Sequence, residues 1–245
     1  MNYPQYEALL QKGGIQPNFF ISEPYFDVNE WVIEVEGRKA CVRGDGDLLF
    51  PPVLSSGKLG RTDEPIWVDF EGYQIKNRQP SFFDHEFIYC SDDFEKLDGG
   101  RFATFRKNCR RFRRKFERKW SYSEVKREKA AELFLDWMID GIDYVEAPET
   151  IVDYLLAADN IIGLFIGKEL IGFNSWDSNF QFLNFRYSFT LRRENYASEF
   201  LRLCFYRNLP KGTLVNDGGT LGSPGLERFK RKLNPREVRR RQTWE

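Results

Sequence analysis

Asp217 is followed by Gly218 and Gly219, at the end of a short run, residues 213–216, that reads as a strand. A carboxylate at a strand's C-terminal end, beside backbone that a ligand can approach closely, can contact an amine or act as a general base. Capping of the helix that Pro224 opens is the alternative. A second group lies in residues 180–189, where period-2 alternation puts Asn184, Arg186 and Ser188 on one face. Leu183, Phe185, Tyr187 and Phe189 fall on the other. In a sheet covered on both sides those polar groups need partners or a ligand. Asn174 and Asp177, on the adjacent strand, could join them.

A third group is basic. Residues 101–119 hold ten Lys and Arg side chains interrupted by one acid, Glu117. Phe105, Cys109, Phe112 and Phe116 recur at helical spacing, so the segment predicts a helix with a buried seam and cations elsewhere. Like charges one turn apart repel by a few tenths of a kcal/mol per pair. A bound anion or phosphate, or an acidic neighbour in the same chain, would offset that. The chain's charge allows both: 37 basic and 37 acidic residues give a formal net of zero, yet residues 1–100 carry a net −9 and residues 101–245 a net +9. Such asymmetry suggests a polyanionic partner for the second half, or attraction between the halves.

Other chemistries are excluded by count. His85 is the single histidine, so a multi-histidine metal site cannot form within one chain, and no G-x-S-x-G elbow accompanies it. His85 itself reads as structural. Cys41, Cys90, Cys109 and Cys204 form no C-x-x-C pair. No metal site is expected. The polar N-terminus lacks a signal-peptide pattern, and no apolar run approaches ~18 residues, so a cytoplasmic protein with reduced thiols and no transmembrane segment is expected. Oligomeric state is not legible.

These groups need elements to hold them. Residues 31–36 and 40–43 predict a hairpin, and 48–50 a strand ended by Pro51 and Pro52. Residues 65–70 and 87–90 predict further strands, and Gly44–Asp47 a bare turn without the ligand spacing of a calcium loop. Ser91, Asp92 and Asp93 predict a helix N-terminus. From Trp120 onward the pattern is strand, two helices, three antiparallel strands, helix 194–208, strand, helix 225–233 and strand 238–244.

That order is the layout of the GNAT acyltransferase fold, and two motifs strengthen the resemblance. Residues 214–235, LVNDGGTLGSPGLERFKRKLNP, resemble a signature of GNAT-like acyl and aminoacyl transferases, the group that includes the C-terminal domain of phosphatidylglycerol lysyltransferase and the FemAB peptidoglycan transferases. Arg106, Asn108, Arg111 and Phe112 lie in a segment similar to the basic "R-N-x-x-x-R-F" run of the lysyltransferase relatives. The resemblance spans residues 90–245. It implies an α/β (α+β) GNAT-like fold in two halves: a degenerate, β-rich, acidic half over residues 1–115 and a basic catalytic half over 116–245.

It also implies transfer of an acyl or aminoacyl group to an amine or hydroxyl acceptor. The acceptor amine must be neutral, the carbonyl polarised and the leaving group protonated. The candidate catalytic residues are then Asp217, Lys230, Asn184 and Arg186, with Lys230 at the family's "F-K" lysine offsetting charge on a carbonyl or phosphate. Asn174, Tyr187, Asn216, Gly218 and Gly219 would bind substrate. Arg192, Arg193 and Asn195 at a helix N-terminus, with Arg106 and Arg110, would hold donor phosphate. The co-substrate is aminoacyl-tRNA or acyl-CoA, with no covalently bound cofactor. Residues 190–198 contain no glycine where acetyl-CoA enzymes carry a glycine-rich loop, and residues 216–222 lack the acidic pair of the lysyltransferase motif. Two basic tracts, 101–119 and 228–241, could clasp tRNA or another polyanion. The alternatives are a non-catalytic GNAT-like nucleic-acid-binding module and a modifier of nucleobase amino groups.

Overall fold

Strand β8 (Leu183–Thr190) ties the molecule together, because it is flanked by an antiparallel partner on one side and a parallel one on the other. The structure, a computed structural model, describes residues 3–24, 30–35, 38–43, 48–60, 79–139, 148–220 and 222–244. The predicted turn at 44–47 and strand at 65–70 lie outside the described residues.

The chain opens with helix α1 (Tyr3–Gly13) and strands β1 (Glu30–Val35), β2 (Arg38–Arg43) and β3 (Leu48–Val53), which form a three-stranded antiparallel sheet in the order β1-β2-β3. β3 runs through Pro51 and Pro52 instead of stopping there. It is an edge strand, where a missing N–H costs no ladder bond, and its register with β2 shifts near the prolines. Tyr3, Tyr6 and Leu10 of α1 pack with Phe50 and Val53 in a small core of their own.

The larger sheet has seven strands. β4 (Pro80–Cys90), β5 (Trp120–Glu124), β6 (Asn160–Ile166), β7 (Glu169–Ser178), β8, β9 (Leu214–Asn216) and β10 (Glu237–Trp244) lie in the order β10-β4-β9-β8-β7-β6-β5. The order crosses residue 115: β4 is hydrogen-bonded between β9 and β10, both from the last thirty-odd residues. The element order expected from Trp120 onward is the order found, in a mixed α/β fold. β8 and β9 are parallel but pair through only two residues each, Leu183 with Val215 and Asn184 with Asn216.

Helices cover both faces. After the short α2 (Asp93–Lys96) and a single 3-10 turn (Gly100–Phe102) comes the basic helix α3 (Ala103–Phe116). The helix expected to begin near Ser91 is therefore broken in two. Ser91 donates from Oγ to Pro210 O and Asp92 accepts from Gly212 N, so neither side chain caps the segment that follows. α3 buries Phe105, Cys109 and Phe112, the expected seam. It packs against α6 (Ala197–Asn208), where Phe112 stacks on Phe200 with ring centroids 4.6 Å apart. α6 is buried almost all round because it lies between α3 and the sheet. On the opposite face α4 (Arg127–Ile139) and α5 (Pro148–Ala157) pack on Phe189 and Tyr187. α7 (Pro224–Lys232) is capped by Ser223 Oγ, which accepts from Leu226 N. Asp217 does not cap it.

Two boundaries shifted for identifiable reasons. β8 begins at Leu183 because Asn179 Oδ1 accepts from Gln181 N and Phe182 N, folding residues 179–182 into a turn. α6 begins at Ala197 because a turn closes between Leu191 and Ala197, with Tyr196 at φ 69°.

Burial pushes the phenols of Tyr3, Tyr89, Tyr154 and Tyr206 well above their ordinary value and that of Tyr187 up to about 12. The unfolded chain releases these protons near pH 10, while the folded chain holds them higher. Their contribution to stability is therefore complete below pH 10 and is lost as pH rises from 10 toward 12 and beyond. Urea unfolding at pH 9 and pH 11 should show a clear fall in midpoint. Equal midpoints would contradict the burial of these phenols.

Candidate functional site

Asn184, Arg186, Asn216, Asp217, Gly218, Gly219 and Lys230 gather where β8 and β9 part, whereas Asn174 and Tyr187 do not. The loop after β9 is built by its own side chains. Asn216 Oδ1 accepts from Gly218 N at 3.0 Å, and Asp84 accepts from Thr220 N at 2.6 Å and from Thr220 Oγ1 at 2.8 Å. The glycines are required. Gly218 has φ +60°, and a Cβ on Gly219 would meet the Asp84 carboxylate at 2.1 Å.

Lys230, 4% exposed, reaches from α7 into this loop. Its ammonium donates to Asp217 O, to Gly219 O at 2.6 Å, and lies 3.2 Å from Asp217 Oδ1. The other carboxylate oxygen of Asp217 is bound by Arg202 of α6. The Arg202 guanidinium lies flat over the Phe185 ring, 3.8 Å from its centroid. Burial lowers the pKa of Lys230, and the Asp217 carboxylate opposes that shift. Asp217 is thus held between two cations, and Lys230 shapes the loop from behind.

A second buried cluster sits on the neighbouring strands. Arg186 binds Asp177 twice, Nε to Oδ2 at 2.6 Å and Nη2 to Oδ1 at 3.1 Å. Asn184 and the Tyr154 hydroxyl donate to the same carboxylate, each at 3.1 Å. The remaining donors of Arg186 reach Phe19 O at 2.5 Å and Ser22 Oγ at 2.6 Å, in the segment that follows α1. Pairing of Asn184 with Asn216 joins the two clusters across the sheet.

The expected face assignment changes here. The register between β7 and β8 shifts so that Arg186 has no opposite number, which makes it the extra residue of a β-bulge. Asn184, Arg186 and Asp177 share one face, while Ser188 falls on the other. There Ser188 donates to Asn174 Oδ1, and Asn174 donates to Tyr122 Oη and Leu201 O. Asn174 is fully buried against α6, apart from the Asp177 cluster. Tyr187 packs on Tyr154 at 5.2 Å and does not reach the β9 loop.

The expected phosphate contacts diverge. Arg192 lies over the Trp137 ring at 4.6 Å, Arg193 pairs with Glu169, and Asn195 is exposed. The turn before α6 is closed by α3: Lys115 binds Glu194 at 2.9 Å and Arg111 donates to the Tyr196 hydroxyl at 3.1 Å. Arg106 is partly consumed by Leu97 O and Gly99 O. On the outer face of α3, Arg106, Lys107, Arg110, Arg113 and Arg114 line an open cleft of about 750 Å³ with Ala103 and Glu117. Among the described residues none of Lys107, Arg110, Arg113 and Arg114 forms an ion pair. The acids Asp84 and Glu86 of the first hundred residues serve β9, β10 and the Phe19 backbone, not this helix.

Sequence reasoning missed Arg202 and Glu86. Arg202 is a lone cation in an otherwise apolar stretch of α6, a pattern that calls for a buried partner. Glu86 sits two residues after Asp84 on a strand, so both acids share a face. Glu86 accepts from Asn216 Nδ2 at 3.0 Å and from Phe19 N at 2.9 Å. Among the described residues no cluster of His, Cys, Asp and Glu could hold a metal ion, and no helix is long and apolar enough to cross a membrane. Cys90, Cys109 and Cys204 are buried free thiols.

No protein-family model and no curated protein sequence matches the chain. Solved structures do. A conserved protein of unknown function from Bacteroides thetaiotaomicron VPI-5482 superimposes with a TM-score of 0.73 at 13% identity, over 100% of this chain and 97% of that one. The C-terminal domain (DUF2156) of a putative lysylphosphatidylglycerol synthetase from Agrobacterium fabrum gives 0.66 at 13% identity, over 99% and 92%. L-PGS from Bacillus licheniformis gives 0.61 at 16% identity, over 98% and 90%. The fold is the one these structures share, as the resemblance of residues 90–245 implied.

Removing one partner of a buried ion pair typically costs about 3–5 kcal/mol, whereas replacing both by apolar groups costs far less. Asp177→Leu should therefore lower the urea midpoint sharply, and adding Arg186→Leu should recover much of the loss. Additive losses in the double variant would show that the pair does not form.

Proposed function

We propose that the protein is an aminoacyltransferase that takes its acyl group from aminoacyl-tRNA and delivers it to an amine. One observation carries the reading: the outer face of α3 presents Lys107, Arg110, Arg113 and Arg114 on an open cleft whose single acid is Glu117, and among the described residues none of the four forms an ion pair. Cations kept so close together at a cost in repulsion fit a polyanion with regularly spaced phosphates. The resemblance to the aminoacyl-transferring relatives and the shared fold with L-PGS support the same class of reaction.

An acyl-CoA donor fits less well. A pyrophosphate needs free N–H groups at the start of α6. That turn carries the Glu194 carboxylate and the Tyr196 ring, both engaged by α3, and Arg192 and Arg193 point to other partners. On the far side of the β8–β9 opening, Arg202 fills the space between Phe185 and Asp217.

In this reading the chain's residues act mainly by holding and excluding. Lys230 and Arg202 fix the Asp217 loop, and the loop brings its backbone close to the β8–β9 opening. Asp177 orients Arg186, whose guanidinium is placed to polarise a carbonyl oxygen, as it does with Phe19 O. The low exposure of both clusters strengthens each electrostatic contact and keeps water from hydrolysing the acyl ester.

Each phosphate contact contributes about 0.7–0.9 to the slope of log K against log salt. Binding of bulk tRNA should weaken steeply with salt. Replacing Lys107, Arg110, Arg113 and Arg114 with Ala should lower that slope by about 3 without lowering the unfolding midpoint, because all four are exposed and repel one another. An unchanged slope would remove RNA from this face.

A further inference from the structure

The segment after α1 lies over the candidate site, and its contacts have the form of ligand recognition. Phe19 is met at each of its three parts. Its N–H donates to Glu86 Oε1 at 2.9 Å, its C=O accepts from Arg186 Nη1 at 2.5 Å, and its ring lies under the Arg186 guanidinium at 4.3 Å. The same ring lies on Gly218, where any Cβ would come within 3.0 Å of it. Farther along, Ser22 Oγ accepts from Arg186 and Ile21 O accepts from Asn179 Nδ2 at 2.9 Å.

The layers are ordered. Glu86, Arg186 and Gly218 beneath are buried; above them Phe19 and Phe20 are only half-buried, while Asn18, Ile21 and Ser22 are buried and anchor the segment on either side. No sheet ladder holds residues 18–22. Among the described residues their backbone-to-backbone bonds are local turns, Ile21 N to Asn18 O and Ser22 N to Phe20 O, and Phe19, Ile21 and Ser22 bond outward to side chains. A segment held this way can open without disrupting the sheet. Removing it would leave a buried carboxylate and a buried guanidinium facing the gap, one suited to an amine and the other to a carbonyl.

We infer that Glu86, Arg186 and Gly218 form a binding site for an α-amino-acyl group with a free amine and an aromatic side chain, and that residues 18–22 are a strap whose Phe19 occupies this site until a ligand displaces it. The ligand's amine takes the place of the Phe19 N–H on Glu86, where a charge-assisted bond replaces a neutral one. Its carbonyl takes the place of Phe19 O on Arg186, and its ring lies flat on Gly218. The inference rests on the aminoacyl-transfer reading, for which this site would hold the amine-bearing partner.

The test uses L-phenylalaninamide as the probe and the full chain. Removing the strap's ring with Phe19→Gly should tighten probe binding at least tenfold over the unaltered chain. In that background Glu86→Gln should weaken it at least tenfold, and N-acetyl-L-phenylalaninamide, which lacks the amine, should bind at least tenfold more weakly. Toluene binding as tightly as the probe would show only an apolar cavity and overturn the inference, as would no binding by any form. Hydrogen exchange on the unaltered chain covers the case in which the variants fail to fold. The Phe19 amide should exchange at least a hundredfold faster than the Asp217 amide, which is bonded to Phe87 O of β4. Equal protection would mean that the strap opens only when the protein unfolds. The α3 quadruple variant should bind the probe as the unaltered chain does. Absence of RNA binding by the unaltered chain, with probe binding present in Phe19→Gly, would sink the RNA reading alone, and RNA binding with no probe binding in Phe19→Gly would sink the strap alone.

Discussion

A carboxylate taken out of water must be met by cations and donors, or its burial costs several kcal/mol. The structure depends on that requirement at Asp217. Arg202 comes to it from α6 and Lys230 from α7, and its own loop follows β9. Three successive elements are thereby fixed to one another at the point where the sheet opens. The glycines follow from the same arrangement, since the loop must pass within contact distance of Asp84 on one side and Phe19 on the other. Asp177 and Arg186 repeat the arrangement on the next strands, with a bulge that turns Arg186 onto the face of its partner.

The two buried pairs divide the labour with the surface. Inside, charges are matched and hydrogen-bonded, so they position backbone and side chains. Outside, α3 carries Lys107, Arg110, Arg113 and Arg114, none of which forms an ion pair among the described residues. The helix serves both roles through its amphipathic division. Its Phe105–Cys109–Phe112 seam packs on α6, and Asn108 donates to Glu199 of that helix at 2.8 Å. One helix, α6, thus touches both the basic helix and the loop of Asp217.

Much of this was legible in the sequence. The Phe seam of α3, the order of elements from Trp120 and the glycine loop all follow from local periodicity and turn chemistry, which act over a few residues. Asp217 and Lys230 were legible as a pair of interest, but not as partners, because thirteen residues of loop and helix separate them. The bulge at Arg186 was not legible, since alternation alone predicts unbroken period 2. Nor was the role of Glu86 or Phe19: their contact spans 67 residues and depends on the path of a segment with no regular element. β3 running through two prolines was missed because edge position is a property of the assembled sheet.

Transfer itself is the most direct test of the account. The protein is incubated with tRNA charged with radiolabelled amino acids and a panel of amines, including amino-acid amides and short peptides. The account predicts label moving from tRNA to an amine only when protein is present, with the movement abolished in the α3 quadruple variant. Label remaining on tRNA with every amine, while acyl-CoA is consumed in a parallel reaction, would contradict it.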